Sequence, residues 1–468
     1  MTTLTFRGAA RTVTGSRHLL ELPDGRRILM DCGLFQGSSE YLHLNSHFGF
    51  APHSINALLL THAHIDHCGL IPRLCREGFA GPIFCTPATR ELTRLMLYDA
   101  AHIQEEDIRH INKLRLKQGV GAAEPLYTSG DVTRCLKQFQ TVPFGEKFEP
   151  LPGVECLFTV AGHILGSAVI NLIFQDSKGQ PIRLCYTGDL GRYNDPIMLA
   201  PGQPMPADYV ICESTYGDRL HDEDADTASE LLSEIEYTCL TKKGVLVIPA
   251  FSVGRTQGLL YHLNSLYNKG KLPSVDIFVD SPLAREATQV VRRFPELYNE
   301  RLRKELEKDA DLFGFPGLFF VETHEESQKL NERKHPFVVI AGSGMADAGR
   351  VKHHIMHRID DRKNTILITG YAEPETLAGR LKSGAKEVRI FGNEFPVRCE
   401  VHTLRSMSAH GDAHDLLRFL TAFEPKKLRR LFLVHGNYES QLYFADLCRA
   451  KGYTSVDIPS LGAVRSLE

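Results

Sequence analysis

Residues 61–69 read Thr-His-Ala-His-Ile-Asp-His-Cys-Gly and follow directly on the apolar run 57–60. A short apolar run bounded by polar residues reads as a buried strand, so His62, His64, Asp66 and His67 are delivered together at a strand end. In extended backbone, residues two apart face the same way, which lets His62 and His64 share one ion and leaves Asp66 and His67 for another. Zinc accepts imidazole nitrogen and carboxylate oxygen at about 2.0–2.2 Å in a near-tetrahedral arrangement. Four such donors in one short segment suit a two-metal site better than a single closed structural site. The contrary reading is a polar surface loop with unrelated histidines.

Two ions need further donors. His163 in Ala-Gly-His-Ile-Leu-Gly-Ser and Asp189 in Tyr-Thr-Gly-Asp-Leu-Gly both follow strand-like runs, beside glycines that admit close backbone approach. His435 in Leu-Phe-Leu-Val-His-Gly-Asn ends another apolar run. Taken singly, each reads more often as a capped loop residue or a satisfied core histidine. Together they add the donor types that the first cluster lacks.

The rest of the composition is that of a globular protein. With 468 residues there is room for two or three domains, and 43% hydrophobic with 24% charged residues excludes a disordered, fibrous or coiled-coil chain. Lys and Arg total 54 against 57 Asp and Glu, a net charge of −3, so no overall positive field gathers polyanions and any nucleic-acid contact rests on a local patch. Eleven cysteines, an odd number, sit mostly singly in apolar runs, as at Cys85, Cys185 and Cys212, and read as reduced core thiols. No charged-then-apolar leader opens the sequence and no apolar run approaches the ~18 residues that span a bilayer. The expectation is a soluble cytoplasmic protein with no membrane contact.

Alternation over residues 4–7 and 18–22, a Pro-Asp-Gly turn at 23–25 and the run 27–30 predict a β-hairpin ending at Asp31. Residues 89–118 predict a long helix. Beyond about 208, strands at 245–249, 275–279, 337–341 and 365–369 alternate with helices at 257–268, 284–293, 349–358 and 376–382, which implies βαβ units and a mostly parallel sheet. After about 400 the first style returns, with His410 in Ser-Ala-His-Gly-Asp, so the α/β segment is inserted within the other.

Asp31 in Met-Asp-Cys-Gly, the run 61–69, His163 and Asp189 resemble, in order, four motifs of the metallo-β-lactamase superfamily. Glu213 in Glu-Ser-Thr-Tyr-Gly, His410 and His435 resemble the three further motifs of its β-CASP branch of nucleases, and the likeness extends over residues 248–257, 342–345, 369–380 and 384–392. The sequence is similar to compact prokaryotic β-CASP ribonucleases and to the endonuclease subunit of the eukaryotic mRNA 3′-end cleavage factor.

This resemblance implies an α/β protein: a metallo-β-lactamase αββα sandwich over 1–208, completed by 401–468, with a β-CASP domain inserted at 209–400. It implies two Zn²⁺ per chain, the first on His62, His64 and His163, the second on Asp66, His67 and His435, with Asp189 bridging. Asp31 then holds a ligand histidine in orientation, and Asp31 and Asp66 count among the active-site carboxylates. The implied activity is hydrolysis of phosphodiester bonds by a hydroxide bridging the zincs, with His410 as general acid and Glu213 as its orienting partner. Read from the residues alone, Glu213 is equally a turn cap and His410 the start of a helix at 411–423.

Within this branch RNA-processing members carry histidine at the last motif where Artemis-like DNA-processing members generally carry valine, so His435 favours single-stranded RNA. The departures are Asn437, where relatives often read Val-His-Gly-Glu, and Pro374-Glu375. They bear on loop conformation and substrate positioning and replace no ligand. Ser252 and Arg255, opening a helix after a strand, and Ser343 with Gly344 after another offer weaker phosphate contacts, though glycine-rich turns in such places are often plain connections. His353, His354 and His357 read as a solvated basic face, since no carboxylate or cysteine completes a metal set near them. Recognition of RNA then rests on the two domains themselves or on a homodimer partner. Endonucleolytic and 5′-to-3′ exonucleolytic action both stay open. Two other classes compete: a small-molecule ester, thioester or lactam hydrolase on the same metal core, and a non-catalytic RNA-processing scaffold.

Overall fold

A computed structural model describes the chain apart from residues 38, 222–225, 371 and 405. Tyr371, within the stretch 369–380 named above, therefore lies outside the described residues. The chain forms two compact units, one of residues 1–220 with 410–468 and one of residues 221–409.

The first unit is built on two seven-stranded sheets. In one, the strands Val464–Ser466, Thr3–Phe6, His18–Glu21, Arg27–Met30, Ala57–Leu59, Ile83–Cys85 and Phe139–Thr141 lie side by side. In the other the order is Val456–Asp457, Arg430–Val434, Tyr209–Glu213, Pro181–Tyr186, Ala168–Gln175, Val154–Val160 and Lys147–Leu151. Side chains alternate between the faces of a strand, and the sequence uses both. Tyr209 and Ile211 point into a core shared with Leu4, Phe6, Ile28, Met30, Leu59, Ile170 and Phe432. Their neighbours Val210 and Cys212 pack outward against Leu416, Phe419 and Phe444, on the helices Ala413–Leu420 and Tyr438–Ala450. Leu58 and Leu60 likewise face Leu74 and Leu97, on the helices Ile71–Arg76 and Pro87–Lys117. Two sheets with helices on both outer faces make an αββα sandwich, and each buried Leu, Ile or Phe in it contributes about 1.5–3 kcal/mol.

The long helix Pro87–Lys117 starts where its sequence dictates. Thr86 accepts from the Thr89 N–H at 3.2 Å, and Pro87 occupies the first turn, where a missing N–H costs nothing. Gly119, with φ +69°, follows its end.

The second unit carries a six-stranded sheet in the order Leu318–Phe320, Ile277–Asp280, Phe337–Ala341, Val245–Pro249, Thr365–Ile368 and Glu400–Thr403, every neighbouring pair parallel. Its central strands are buried along their whole length, which is why they read as unbroken apolar runs. The helices Arg255–Asn268, Pro282–Arg292, Val351–Arg358 and Leu377–Lys382 join its strands. The sequence boundaries at 208/209 and 400/401 fall short of the observed divisions for two reasons of pairing. Tyr209–Glu213 is hydrogen-bonded between Pro181–Tyr186 and Arg430–Val434 in the first unit, and Glu400–Thr403 pairs with Thr365–Ile368 in the second.

All eleven cysteines are free thiols, ten of them buried and Cys75 half-buried. No described helix is long and apolar enough to cross a membrane.

Candidate metal centre

Six strand ends of the first unit deliver the polar cluster. Asp31 follows Arg27–Met30, the run 61–67 follows Ala57–Leu59, His163 follows Val154–Val160, Asp189 follows Pro181–Tyr186, Glu213 ends its own strand, and His435 follows Arg430–Val434. A single turn of helix, Ile65–Cys68, rotates Asp66 and His67 back over the sheet. Gly33 makes room for it: a Cβ there would lie 1.6 Å from the Asp66 carbonyl oxygen.

The network beneath the cluster fixes which nitrogens face inward. Asp31, wholly buried, accepts from the Thr61 N–H at 2.8 Å and from the Tyr186 hydroxyl at 2.7 Å. Its second oxygen also faces His67 Nδ1 at 2.7 Å; a carboxylate only accepts, so His67 Nδ1 carries the proton. The Thr61 hydroxyl donates to Asp31 at 2.9 Å and lies 3.0 Å from His62 Nδ1, so it accepts from that nitrogen. Thr215 repeats the arrangement: its hydroxyl donates to the His435 carbonyl at 3.0 Å and lies 3.0 Å from His435 Nδ1. The Nε2 atoms of His62, His67 and His435 are thereby turned into one space.

There they meet other donor atoms at close range. His62 Nε2 lies 3.2 Å from His64 Nδ1, and His163 Nε2 lies 3.1 Å from the same atom. Asp189 Oδ2 is 3.5 Å from His62 Nε2 and 3.6 Å from His163 Nε2. On the other side His67 Nε2 is 3.2 Å from His435 Nε2 and 3.2 Å from Asp189 Oδ1, while Asp66 Oδ2 is 3.3 Å from His435 Nε2 and 4.0 Å from His67 Nε2. With metal–ligand bonds near 2.0–2.1 Å, the edge of a tetrahedron is about 3.3 Å. Most of the eight distances lie near that edge, and the donor atoms fall into groups, each within 4.8 Å, that include His62, His64, His163 and Asp189 on one side and Asp66, His67 and His435 on the other. The residues present fit metal binding.

Charge reflects the same crowding. Burial, with the neighbouring His67, holds His62 well below the ordinary histidine range, and burial takes His64 down to about 4. His67 goes the other way: burial opposes its charge, but Asp189 and Asp31 hold it well above the ordinary value. Burial also opposes ionisation of Asp189, and His435, His67 and His62 overcome it.

Beside the cluster, His410 Nδ1 lies 3.0 Å from Glu213 Oε1, and its ring centroid is 4.4 Å from that of His163. Glu213 is wholly buried and is fixed by the Leu190 N–H at 2.7 Å and the Thr215 N–H at 3.2 Å. Burial lowers the His410 pKa, but Glu213 outweighs it and the imidazole is held at about 9. Asp189, His410 and His435 also bring donor atoms within 4.8 Å of one another. The Glu213 contact engages His410 Nδ1 and leaves Nε2 available.

The amino-acid sequence matches the Metallo-beta-lactamase superfamily over residues 15–238, the Beta-Casp domain over 256–381 and the Zn-dependent metallo-hydrolase RNA specificity domain over 394–459. It is 37% identical over 446 residues to Ribonuclease TTHA0252 of Thermus thermophilus, covering 95% of both chains. The chain belongs to the β-CASP branch of the metallo-β-lactamase superfamily. This β-CASP chain is also 30% identical to Transcription termination factor FttA of Methanocaldococcus jannaschii, over 99% of its own length and 71% of the relative's. It is 28% identical to an RNase J-like protein of the same organism, over 95% of each. A crystal structure of a protein of unknown function from Enterococcus faecalis V583 superposes over the full length of both chains with a TM-score of 0.53 at 12% identity, which shows a common fold.

Every metal-ligand residue expected from the sequence lies in this cluster, with Asp31, Glu213 and His410 around it. The weaker phosphate candidates of the β-CASP chain lie in the second unit. Ser252 follows Val245–Pro249 with its Oγ 3.0 Å from Ser281 Oγ, and a Cβ on Gly342 would come within 3.2 Å of it, so Ser252 and the Gly342–Ser343 turn meet. Arg255 opens its helix and reaches the backbone at Gly370, and Gly344 packs on the Phe251 ring. His353 and His357 are exposed as expected. His354 is not: it is buried, with Nε2 2.6 Å from Asp280 Oδ2, a carboxylate from a distant strand end that local spacing does not reveal. Sequence reasoning also missed Thr61, Thr215 and Tyr186, which orient the ligands. The only signal for the threonines is that each lies within two residues of a motif carboxylate or histidine.

Proposed function

We propose that this chain is a ribonuclease that hydrolyses single-stranded RNA with two zinc ions, one on His62, His64 and His163, the other on Asp66, His67 and His435, with Asp189 spanning both. The observation that carries the reading is the pairing of buried Glu213 with half-buried His410 beside the donor cluster, 3.0 Å between the atoms. Breaking a phosphodiester strands negative charge on a departing oxygen, and a protonated histidine is the group to meet it. The ribonuclease and termination-factor relatives support RNA as the substrate class.

When bound, the ions supply Lewis acidity, bringing the pKa of water toward neutrality and offsetting charge on the phosphoryl group. The chain's own residues supply orientation and the proton. Asp31, Thr61 and Thr215 fix the tautomers of His67, His62 and His435, so each offers a lone pair without rearrangement. Glu213 takes the Nδ1–H of His410 and leaves Nε2 to protonate the 3′-oxygen, giving 5′-phosphate and 3′-hydroxyl products. Ser252, Arg255, Ser343 and Gly344 serve as phosphate contacts in the inserted unit. Free thiols throughout suit a reducing cytosol, and we place the protein there.

The test is to incubate the purified, zinc-loaded protein with RNA and DNA strands labelled at either end. Internal RNA fragments identify an endonuclease and mononucleotides an exonuclease. Absence of RNA cleavage refutes the reading, and sedimentation of the same sample decides whether a homodimer partner takes part.

A further inference from the structure

Two chain segments dip into the donor cluster and surface together. The first is residues 9–15: Ala9 and Ala10 are buried, and Arg11 is exposed. The second runs from His435, which is buried, to Asn437 and Tyr438, which are exposed. Backbone hydrogen bonds tie them at the ligand itself, from His435 N–H to the Ala9 carbonyl at 2.7 Å and from Gly436 N–H to the Thr12 carbonyl at 3.3 Å. Where they emerge, the Arg11 guanidinium lies over the Tyr438 ring, 4.4 Å from its centroid, and donates to the Ile458 carbonyl at 3.2 Å. Tyr438 keeps 37% of its surface exposed. Asn437 heads the helix Tyr438–Ala450, yet its side chain makes no capping hydrogen bond.

We infer that Arg11, Asn437 and Tyr438 form a landing site for the single-stranded RNA next to the scissile phosphate, an inference that rests on the ribonuclease reading above. A stacked guanidinium and phenol present flat faces on which any base can lie. The guanidinium also offers N–H donors to a phosphate oxygen, and the Asn437 amide adds another donor. The departure from the common Val-His-Gly-Glu motif acquires a consequence here. A glutamate in place of Asn437 puts a negative charge beside the strand, and the amide does not. The hydrogen bonds to Ala9 and Thr12 fix this site to the His435 loop, so a base held on it sets the position of the backbone relative to the metal ligands.

The test measures by anisotropy the affinity of the zinc-loaded protein for a fluorescent twelve-nucleotide RNA whose phosphorothioate linkages slow its cleavage, alongside wild-type cleavage of the unmodified RNA. Tyr438→Ala and Arg11→Ala are expected to weaken binding about tenfold, in the range one lost base stack accounts for. Tyr438→Trp is expected to bind at least as tightly as wild type, and Asn437→Glu several-fold more weakly with a steeper salt dependence. Zinc content of each variant, measured separately, reports whether the His435 loop is intact. Wild-type cleavage together with unchanged affinity in Tyr438→Ala and Asn437→Glu overturns the landing site and leaves the ribonuclease reading standing. So does a loss of binding that Tyr438→Trp shares and that tracks loss of zinc, since that marks a structural role. Failure of the wild type to bind or cleave RNA removes both.

Discussion

Replacing Asp31 by asparagine tests whether ligand orientation is set from beneath the cluster. The carboxylate accepts from four groups: the Thr61 N–H and hydroxyl, the Tyr186 hydroxyl and the His67 Nδ1–H. An amide keeps one accepting oxygen, which Thr61 retains if the nitrogen takes the other place. Tyr186 adapts, because its hydroxyl already lies 2.8 Å from Ser16 Oγ and can donate there instead. His67 cannot adapt without moving its proton to Nε2, which blocks the lone pair facing His435 and Asp189. The minimum loss is one charge-assisted hydrogen bond in a buried site, about 1.5–3 kcal/mol, or about 10–100-fold in affinity for the ion that His67 holds. The His62–His64–His163 set keeps its support through Thr61, so its affinity should stay within about threefold. Competitive zinc titration against a chromophoric chelator resolves the two steps. Equal affinity at both steps, or an equal loss at both, would show that Asp31 does not act through His67 and would refute this reasoning.

Other outcomes follow from the same geometry. His410→Ala should keep its zinc and lose kcat by about 10²–10⁴-fold, measured by single-turnover RNA cleavage beside metal analysis. Glu213 holds His410 at about 9 against the effect of burial; a general acid acts below its pKa, so Glu213→Gln should move the alkaline limb of the pH–rate profile to lower pH. Stripping the metal should abolish cleavage and lower Tm by several degrees, since a ligand at a hundredfold its Kd stabilises by about 2.7 kcal/mol, and refilling should take up two zinc ions in the wild type but fewer in Asp189→Ala. Gly33→Ala forces the Asp66 carbonyl away from a Cβ 1.6 Å distant and should cost about 2–4 kcal/mol in thermal unfolding.

The fold class was legible because strand ends and ligand motifs coincide. The apolar run before Thr61, the hairpin closing at Asp31 and the alternation beyond Val245 each carry a period that only one kind of element satisfies. The strand Leu318–Phe320 is only partly buried, and its three residues are too few to show a period. The antiparallel pair Glu387–Ile390 and Asn393–Pro396 carries mixed charge that reads as loop. At the site, donors announce themselves by residue type, whereas the groups that aim them do not. Thr61 and Thr215 are ordinary threonines until their hydroxyls are seen to donate to one group and accept from an imidazole. Tyr186 and Asp31 meet across 155 positions of sequence, and Asp280 finds His354 across 74; no local pattern encodes either pairing.

His62, His64, His163 and Asp189 precede the inserted unit in the chain, while His410 and His435 follow it. A growing polypeptide therefore acquires one complete set of donors early and the second only after the whole inserted unit, residues 221–409, has been made. Residues Val464–Ser466, which also follow the inserted unit, pair with Thr3–Thr5 at the edge of the first sheet. On the ribonuclease reading, a polypeptide that has reached only residue 409 lacks both His435 and the proton donor. The last ligand histidine and the proton donor thus arrive together, on the far side of the inserted unit.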